Sequence, residues 1–454
     1  MKIIVVGCGK IGSTLIESLE AEGHDITAID QSQKVIEEIS NIYDVMCVCG
    51  NAVDNDTLNE AEVQKAELLI SVTDSDEINM LICYIAKRMG AARTVARVRN
   101  PEFNDKRMGQ VKQYLDISFT INPELLAAQE IFNMLKLPAA INIETFSRRN
   151  FEMIELILKE DSNLNGLSLI ELRKKYKANF LICVVKRGEQ VYIPDGNFVL
   201  QQGDHICLSA NFSEIQKLLK MLGLAKKHSK NVMLLGATTT SYYLSKMLLR
   251  AGSEVTIIDK DIDRCNKFAE SLPGAVVING NGTESEVLLE EGIASMDAFA
   301  SLTGMDEENI IISFFAQSQN VQRVVAKVNR NELAVMAEKL GLDSIVSPKK
   351  AVSNVITSYA RALQNTLGSN VETLYKLMNG SVEALEFNVQ SDFKALHIKL
   401  KDMKLKKDVL IAGIIRKRKA FVPTGEDEIV AGDRVVVIAK SSEEKMADLS
   451  DILR

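Results

Sequence analysis

Ile3, Ile4, Val5 and Val6 form an unbroken β-branched apolar run, the pattern of a parallel strand buried on both faces. Short apolar runs recur at 26–29, 45–48, 67–72 and 94–98. Polar stretches with helical character separate them, at 31–41, from Thr57 onward, and up to Gly90, where Asp76 is placed to cap the helix start. Strand alternating with helix predicts a doubly wound parallel sheet. The loops at 50–54 and 73–79 follow strands, so they lie at the C-terminal sheet edge, where such sheets hold ligands.

Pro123 opens an apolar helix over 124–137, with Leu125, Ile131, Met134 and Leu135 at helical spacing. Its apolar side is wide, which fits core packing and a subunit crossover equally. From Asn142 the pattern changes to a small α+β domain of about 80 residues. Strands are expected at 151–158, 180–186 and 205–209, with helices at 167–176 and from Ser213. Arg187-Gly188, Pro194-Asp195-Gly196 and Gln202-Gly203-Asp204 are turn signals. The basic segment 225–230 reads as a solvated linker.

The chain then repeats itself. Gly236 and Asp259 stand 229 positions after Gly7 and Asp30, and the stretch 301–309 stands 230 after 71–79. The turn at Ala431-Gly432-Asp433 follows that at 202–204 by the same spacing of 229. This is a tandem duplication of a two-domain unit. The boundaries expected are 1–122, 123–228, 230–347 and 348–454.

Chemistry enters at Gly7-Cys8-Gly9-Lys10-Ile11-Gly12, a G-x-G-x-x-G loop between strand and helix. Gly7 allows the tight turn, Gly9 lets a pyrophosphate approach the backbone, and Gly12 lets the helix pack close. The helix start offers free N–H groups and a positive dipole end to phosphate. Asp30 closes the second strand, where a carboxylate takes ribose hydroxyls and repels a 2′-phosphate. Thr73 and Asp74 fall at the same edge, and Arg97 at a strand end is suited to a phosphate or to a surface ion pair. The second copy keeps Asp259 and Thr303 but has Thr238 and Ser241 in place of Gly9 and Gly12, Gly304 for Asp74 and Lys327 for Arg97. Its cleft is expected to hold a smaller nucleotide or none.

Composition narrows the field. The net charge of −7 gives no overall case for nucleic acid, and the absence of tryptophan removes a stacking platform for single strands. No apolar run reaches the roughly 18 residues needed to span a bilayer. No secretory leader precedes the first strand, so a cytoplasmic chain is expected. Seven cysteines are scattered without a C-x-x-C pair or a Cys/His ligand cluster, which predicts free thiols and no metal site.

The order of nucleotide-binding domain, Pro-led helix and small domain, all twice, resembles the TrkA family of tandem RCK (KTN) regulatory subunits of Trk potassium-uptake systems. The resemblance rests on Gly7 to Gly12, Asp30, 73–79, Ala96-Arg97-Val98-Arg99 and the duplicated small domain, and covers nearly the whole chain. It implies two Rossmann-like domains, each followed by a small RCK C-terminal domain. It implies an adenine-nucleotide site at Gly7, Cys8, Gly9, Lys10, Ile11, Asp30, Thr73, Asp74 and Arg97, with Asp259 as its counterpart in the second half. NAD(H) is the cofactor implied, with ATP or ADP as the alternative. The implied assembly is a homo-oligomeric ring at the inner face of the membrane, gating a potassium-translocating subunit of the TrkH/TrkG/KtrB type. An NAD-dependent dehydrogenase is the rival class. It needs a proton donor beside the nicotinamide, and His24, His205, His228 and His397 fall away from the expected edge. A regulatory subunit without catalytic residues is therefore the reading.

Overall fold

Lys2–Val6 (β1) is an inner strand of a six-stranded parallel sheet, and its four apolar side chains are buried as the unbroken run requires. The computed structural model describes residues 1–104, 114–136, 142–146, 151–158, 160, 162–176, 179–221, 229–342, 344–365, 371–378, 381–417, 419–440, 446 and 448–454. The remaining strands of this sheet are Asp25–Asp30 (β2), Met46–Cys49 (β3), Leu68–Ser71 (β4), Thr94–Arg97 (β5) and Phe119–Ile121 (β6). Their order is β3-β2-β1-β4-β5-β6. The order reverses between β1 and β4, so the loops after these strands diverge and leave a crevice at the C-terminal edge. Helices Lys10–Ala21 (α1), Gln33–Ile42 (α2), Asn55–Glu60 (α3) and Asp76–Met89 (α4) cover the sheet. The three-residue strand β6 is too short to show in an alternation pattern. Asp76 does not cap α4 as the sequence suggested. Ser75 is the cap, its hydroxyl accepting from Ile78 N–H, and Asp76 turns toward the next loop.

Pro123–Lys136 (α5) leads out of this sheet. Asn142–Phe146 (β7), Phe151–Ile157 (β8), Phe180–Arg187 (β9), Gln190–Tyr192 (β10) and His205–Ala210 (β11) then form an antiparallel sheet in the order β10-β9-β11-β8-β7, with helices Leu169–Lys175 (α6) and Phe212–Met221 (α7). Most of the basic segment at 225–230 lies outside the described residues. The second half repeats both sheets. Asn231–Leu235 (β12), Glu254–Asp259 (β13), Ala275–Asn279 (β14), Ala298–Ser301 (β15), Arg323–Lys327 (β16) and Ile345–Val346 (β17) follow the order β14-β13-β12-β15-β16-β17. Its helices are Thr239–Arg250 (α8), Ile262–Ser271 (α9), Ser285–Glu290 (α10), Asp306–Ser318 (α11), Asn331–Lys339 (α12) and Pro348–Asn365 (α13). A second antiparallel sheet of five strands closes the chain. In each small domain one arginine grips one aspartate with two bonds, Arg187 on Asp204 at 2.7 and 2.8 Å and Arg416 on Asp433 at 2.8 and 2.7 Å.

The compact units are not the two repeats. One unit contains 1–132 and 229–357, so the two parallel sheets belong together, and the other contains 133–228 and 358–454. In the first unit, Asn122 Nδ2 donates to Tyr243 Oη at 3.0 Å, and that hydroxyl donates to the Arg99 carbonyl at 3.1 Å. Ser353 on α13 bonds Ser18 on α1 at 2.6 Å. In the other unit, Glu155 accepts from Met378 N–H at 3.2 Å, and the Ser209 hydroxyl donates to the Ala412 carbonyl at 3.0 Å.

Glu130 on α5 is held in the first unit, where burial pushes its carboxyl up to about 7 against the opposing pull of Lys350. The folded chain therefore holds this proton more tightly than the unfolded chain, whose glutamate has the ordinary value of 4.5. The favourable contribution is complete below the unfolded value and is lost as pH rises through about 7. At most it amounts to on the order of 3 kcal/mol. Glu130→Gln is expected to match the wild type in stability near pH 4.5 and to exceed it at pH 8. Denaturation at the two pH values checks this, and parallel pH profiles for both proteins contradict it.

Candidate functional site

A cavity of about 840 Å³ opens at the C-terminal edge of the first parallel sheet. That is within the roughly 300–1,000 Å³ typical of small-molecule sites. Gly7, Gly9, Lys10 and Ile11 line it from the loop after β1 and the start of α1, Asp30 from the end of β2, Thr73 and Asp74 from the loop after β4, and Arg97 from the end of β5. The topology thus gathers residues spread over 90 positions of sequence at one sheet edge. Cys8 does not line it. Its thiol sits against the Ile29 carbonyl, and burial, with the Asp30 charge, pushes it up to about 12, so it is no nucleophile. The contribution of Cys8 is its N–H, which donates to Asp30 Oδ2 at 2.8 Å.

The glycines of the loop have different reasons. Gly7 has φ +88°, and a Cβ there would lie 2.9 Å from Thr73 N. A Cβ at Gly12 would lie 1.9 Å from the Gly7 carbonyl oxygen. Gly9 has an ordinary φ of −67°, and a Cβ there would meet nothing within 4 Å. No protein atom demands a glycine at this position, and the space in front of its backbone is open. Gly9 is also the N-cap of α1 and offers no side-chain oxygen, so the first amides of that helix remain available to an anion. Asp30 receives Cys8 N–H on one oxygen and Ser32 N–H, at 2.9 Å, on the other. Each carboxylate oxygen has a further lone pair for a ribose hydroxyl.

The Thr73 loop is held by Asn79, which sequence reasoning placed in the loop but gave no role. Its Oδ1 accepts from Ser71 Oγ, Thr73 N and Thr73 Oγ1 at 2.9, 2.8 and 2.7 Å, and its Nδ2 donates to the carbonyls of Thr73 and Arg97, each at 3.1 Å. Asn309 makes the same set in the second half, so an asparagine kept at one place in both copies was the available signal. Asp76 accepts Arg99 N–H and Asn100 N–H at 2.8 Å each, which orients the loop after β5. Arg97 is 8% exposed; its Nη1 reaches the carbonyls of Val72 and Thr73 only at 3.5 and 3.4 Å, and its Nε is buried without a partner. Burial lowers its pKa, and the neighbouring Arg99 charge adds to this, while Glu124 opposes. A buried guanidinium short of hydrogen bonds on a cavity wall is suited to an anion.

The second half completes the cavity with Thr240, Lys327, Asn329, Pro348 and Lys349. Glu124, on the first turn of α5, also lines it and lies in the field of both Arg97 and Lys327. No local pattern identifies the five residues of the second half, because they come from the distant copy.

The cleft at Asp259 is a separate pocket of about 130 Å³. Asp259 holds the loop there as Asp30 does, accepting Ala237 N–H at 2.6 Å and Asp261 N–H at 2.8 Å. The difference is at the helix start. Thr238 caps α8 with its own hydroxyl, which accepts from Ser241 N–H, and the Ser241 hydroxyl donates to the Gly236 carbonyl. The second loop therefore takes up an amide that the first leaves free.

Comparison with known proteins gives a consistent picture. The TrkA-N domain family model matches residues 3–115 and 232–348, and the TrkA-C domain model matches 153–223 and 384–450. A Trk system potassium uptake protein TrkA homolog of Archaeoglobus fulgidus is 31% identical over 451 residues, covering 99% of this chain and all of the relative. A solved GsuK channel bound to NAD is 18% identical with a TM-score of 0.63, covering 97% of this chain and 77% of that one. A GsuK structure bound to ADP is 14% identical with a TM-score of 0.51, covering 80% and 69%. At these identities the structures establish the shared fold.

Proposed function

The chain belongs to the TrkA family of paired TrkA-N and TrkA-C domains, and from that premise we propose that it is a nucleotide-sensing regulatory subunit of a potassium-uptake system. The observation that carries this reading is the cavity at Gly9, Asp30 and Arg97, with an uncapped helix start, a glycine that no protein atom requires and a cation short of partners. These residues fit an adenine nucleotide, NAD(H) first and ATP or ADP as the alternative. Asp30 holds the ribose, the α1 amides hold phosphate, Arg97 supplies the countercharge, and Thr73 and Asp74 border the ligand. The nucleotide supplies no chemistry in this reading, only binding energy. No histidine lines the cavity among the described residues. The output is a change of shape: differential affinity for two arrangements of the chain, in a homo-oligomeric ring, shifts their balance. No helix among the described residues is long and apolar enough to cross a membrane. In this reading the pore belongs to a potassium-translocating membrane subunit of the TrkH/TrkG/KtrB type, met from the cytoplasmic face, as the Trk system named for the relatives suggests.

Asp30→Ala is expected to weaken nucleotide binding by roughly 1.5–3 kcal/mol, the worth of charge-assisted hydrogen bonds. Asp259→Ala is expected to leave that affinity unchanged. Calorimetry on the intact chain measures both; equal losses, or no loss at Asp30, contradict the assignment. The function itself is tested by co-purification with the membrane subunit. The reading expects Asp30→Ala to remain bound to the partner yet lose its response to nucleotide. Steady oxidation of NADH with a small carbonyl substrate would instead establish the dehydrogenase.

A further inference from the structure

Lys327 occupies in the second half the position of Arg97 in the first, 230 residues earlier. Arg97 lines the cavity of its own half. Lys327 does not: it is absent from the wall of the pocket at Asp259 and lines the large cavity of the first half instead. Its ammonium makes one hydrogen bond among the described residues, to the Leu302 carbonyl at 3.1 Å, and has two further donors. Glu124 and then Asp306 are the acids in its field, and Glu124 Oε2 is buried with no hydrogen-bond partner. Two cations, Arg97 and Lys327, thus share the field of Glu124 on the cavity wall, where Asp74 also acts on Arg97.

Strand order says what that end receives. Asp30 ends β2 and Arg97 ends β5, three strand spacings apart in the sheet, or about 14 Å. A nucleotide with its ribose on Asp30 and its first phosphate on the α1 amides reaches β5 only with what lies beyond that phosphate. We propose that the second half serves as the anion-binding wall of the first cleft, with Lys327 a direct ligand of the distal phosphate of a nucleoside polyphosphate. This inference rests on the nucleotide reading of the cavity. It gives the second copy a role other than sensing, since its own cleft is small and its helix start is self-capped.

The test is the affinity of the full chain for AMP, ADP and ATP, measured by calorimetry. The wild type is expected to bind ATP more tightly than AMP. Lys327→Gln is expected to weaken ATP about tenfold, the loss of one charge-assisted bond, and AMP less than twofold. Lys327→Met, which keeps the packing of the buried stem, is the second variant and carries the same expectation. Lys327→Arg is expected to retain ATP affinity. Equal losses for AMP and ATP, no loss for ATP, or a wild type indifferent to phosphate number overturns the proposal. Asp30→Ala separates the two readings. If it weakens all three nucleotides while Lys327→Gln weakens none, only the wall is wrong. If Asp30→Ala changes nothing, the nucleotide site itself is wrong.

Discussion

Gly9→Thr is expected to abolish nucleotide binding and leave the fold as stable as the wild type. Both halves of this expectation come from geometry. A Cβ at Gly9 meets no protein atom within 4 Å and the residue has an ordinary φ, so the folded chain is expected to accept a threonine. Threonine is as good an N-cap as glycine, so α1 loses nothing. The new hydroxyl, however, competes for the amides at the start of α1, as Thr238 takes Ser241 N–H in the second half, and its methyl group fills the path of the phosphate. The loss of several charge-assisted bonds together is expected to exceed about 3 kcal/mol, more than a hundredfold in affinity. Calorimetry and thermal denaturation of the same preparation read the two effects. A stable variant that binds as before removes Gly9 from the ligand, and a variant that unfolds shows that the protein itself needs this glycine.

Asn79→Ala is expected to be strongly destabilising. The Asn79 side chain is fully buried and makes five hydrogen bonds. Its removal leaves two hydroxyls, one N–H and two carbonyls without this partner, those of Ser71 and Arg97 buried and those of Thr73 partly buried. Unsatisfied buried groups cost about 1–3 kcal/mol each, and partial rearrangement of the hydroxyls brings the expected total to about 3–5 kcal/mol. Nucleotide affinity should fall as well, because Asn79 fixes Thr73 and the Arg97 carbonyl. Asn309→Ala is the control, read with AMP, which does not reach Lys327: the same network is lost in the second half, so stability should fall comparably while AMP binding in the first cleft persists. Chemical denaturation with calorimetry below the transition checks the pair. Equal binding losses in both variants show that stability, and not the Thr73 loop, governs affinity.

The features legible in the sequence are those encoded locally. The run 3–6, the glycine spacing after it and the acid at Asp30 each depend on neighbours within one strand–helix–strand unit. The duplication was legible because the two copies keep turn residues and polar anchors at nearly constant spacing. Three kinds of feature escaped. Strands as short as β6, β10 and β17 have too few residues to show alternation, and the sheet defines them by pairing. The exchange of roles between Ser75 and Asp76 turns on which side chain faces its own helix, and adjacent capping residues look alike in sequence. The placement of Lys327, Asn329 and Thr240 on the first cleft depends on two domains coming together, which no periodicity reports. Cys8 shows the same limit at smaller scale: the loop pattern places the residue, and only the fold shows that its N–H acts while its thiol is buried.

Nucleotide in the first cleft is proposed to control potassium movement through a membrane partner. Rubidium flux through vesicles holding the membrane subunit, with this chain added and NADH or ATP present or absent, tests it most directly. Flux is expected to depend on the chain and to change with nucleotide, and a Gly9→Thr chain is expected still to bind the partner but to leave flux insensitive to nucleotide. Flux that is the same with and without the chain, or that responds to nucleotide equally through wild type and Gly9→Thr, contradicts it.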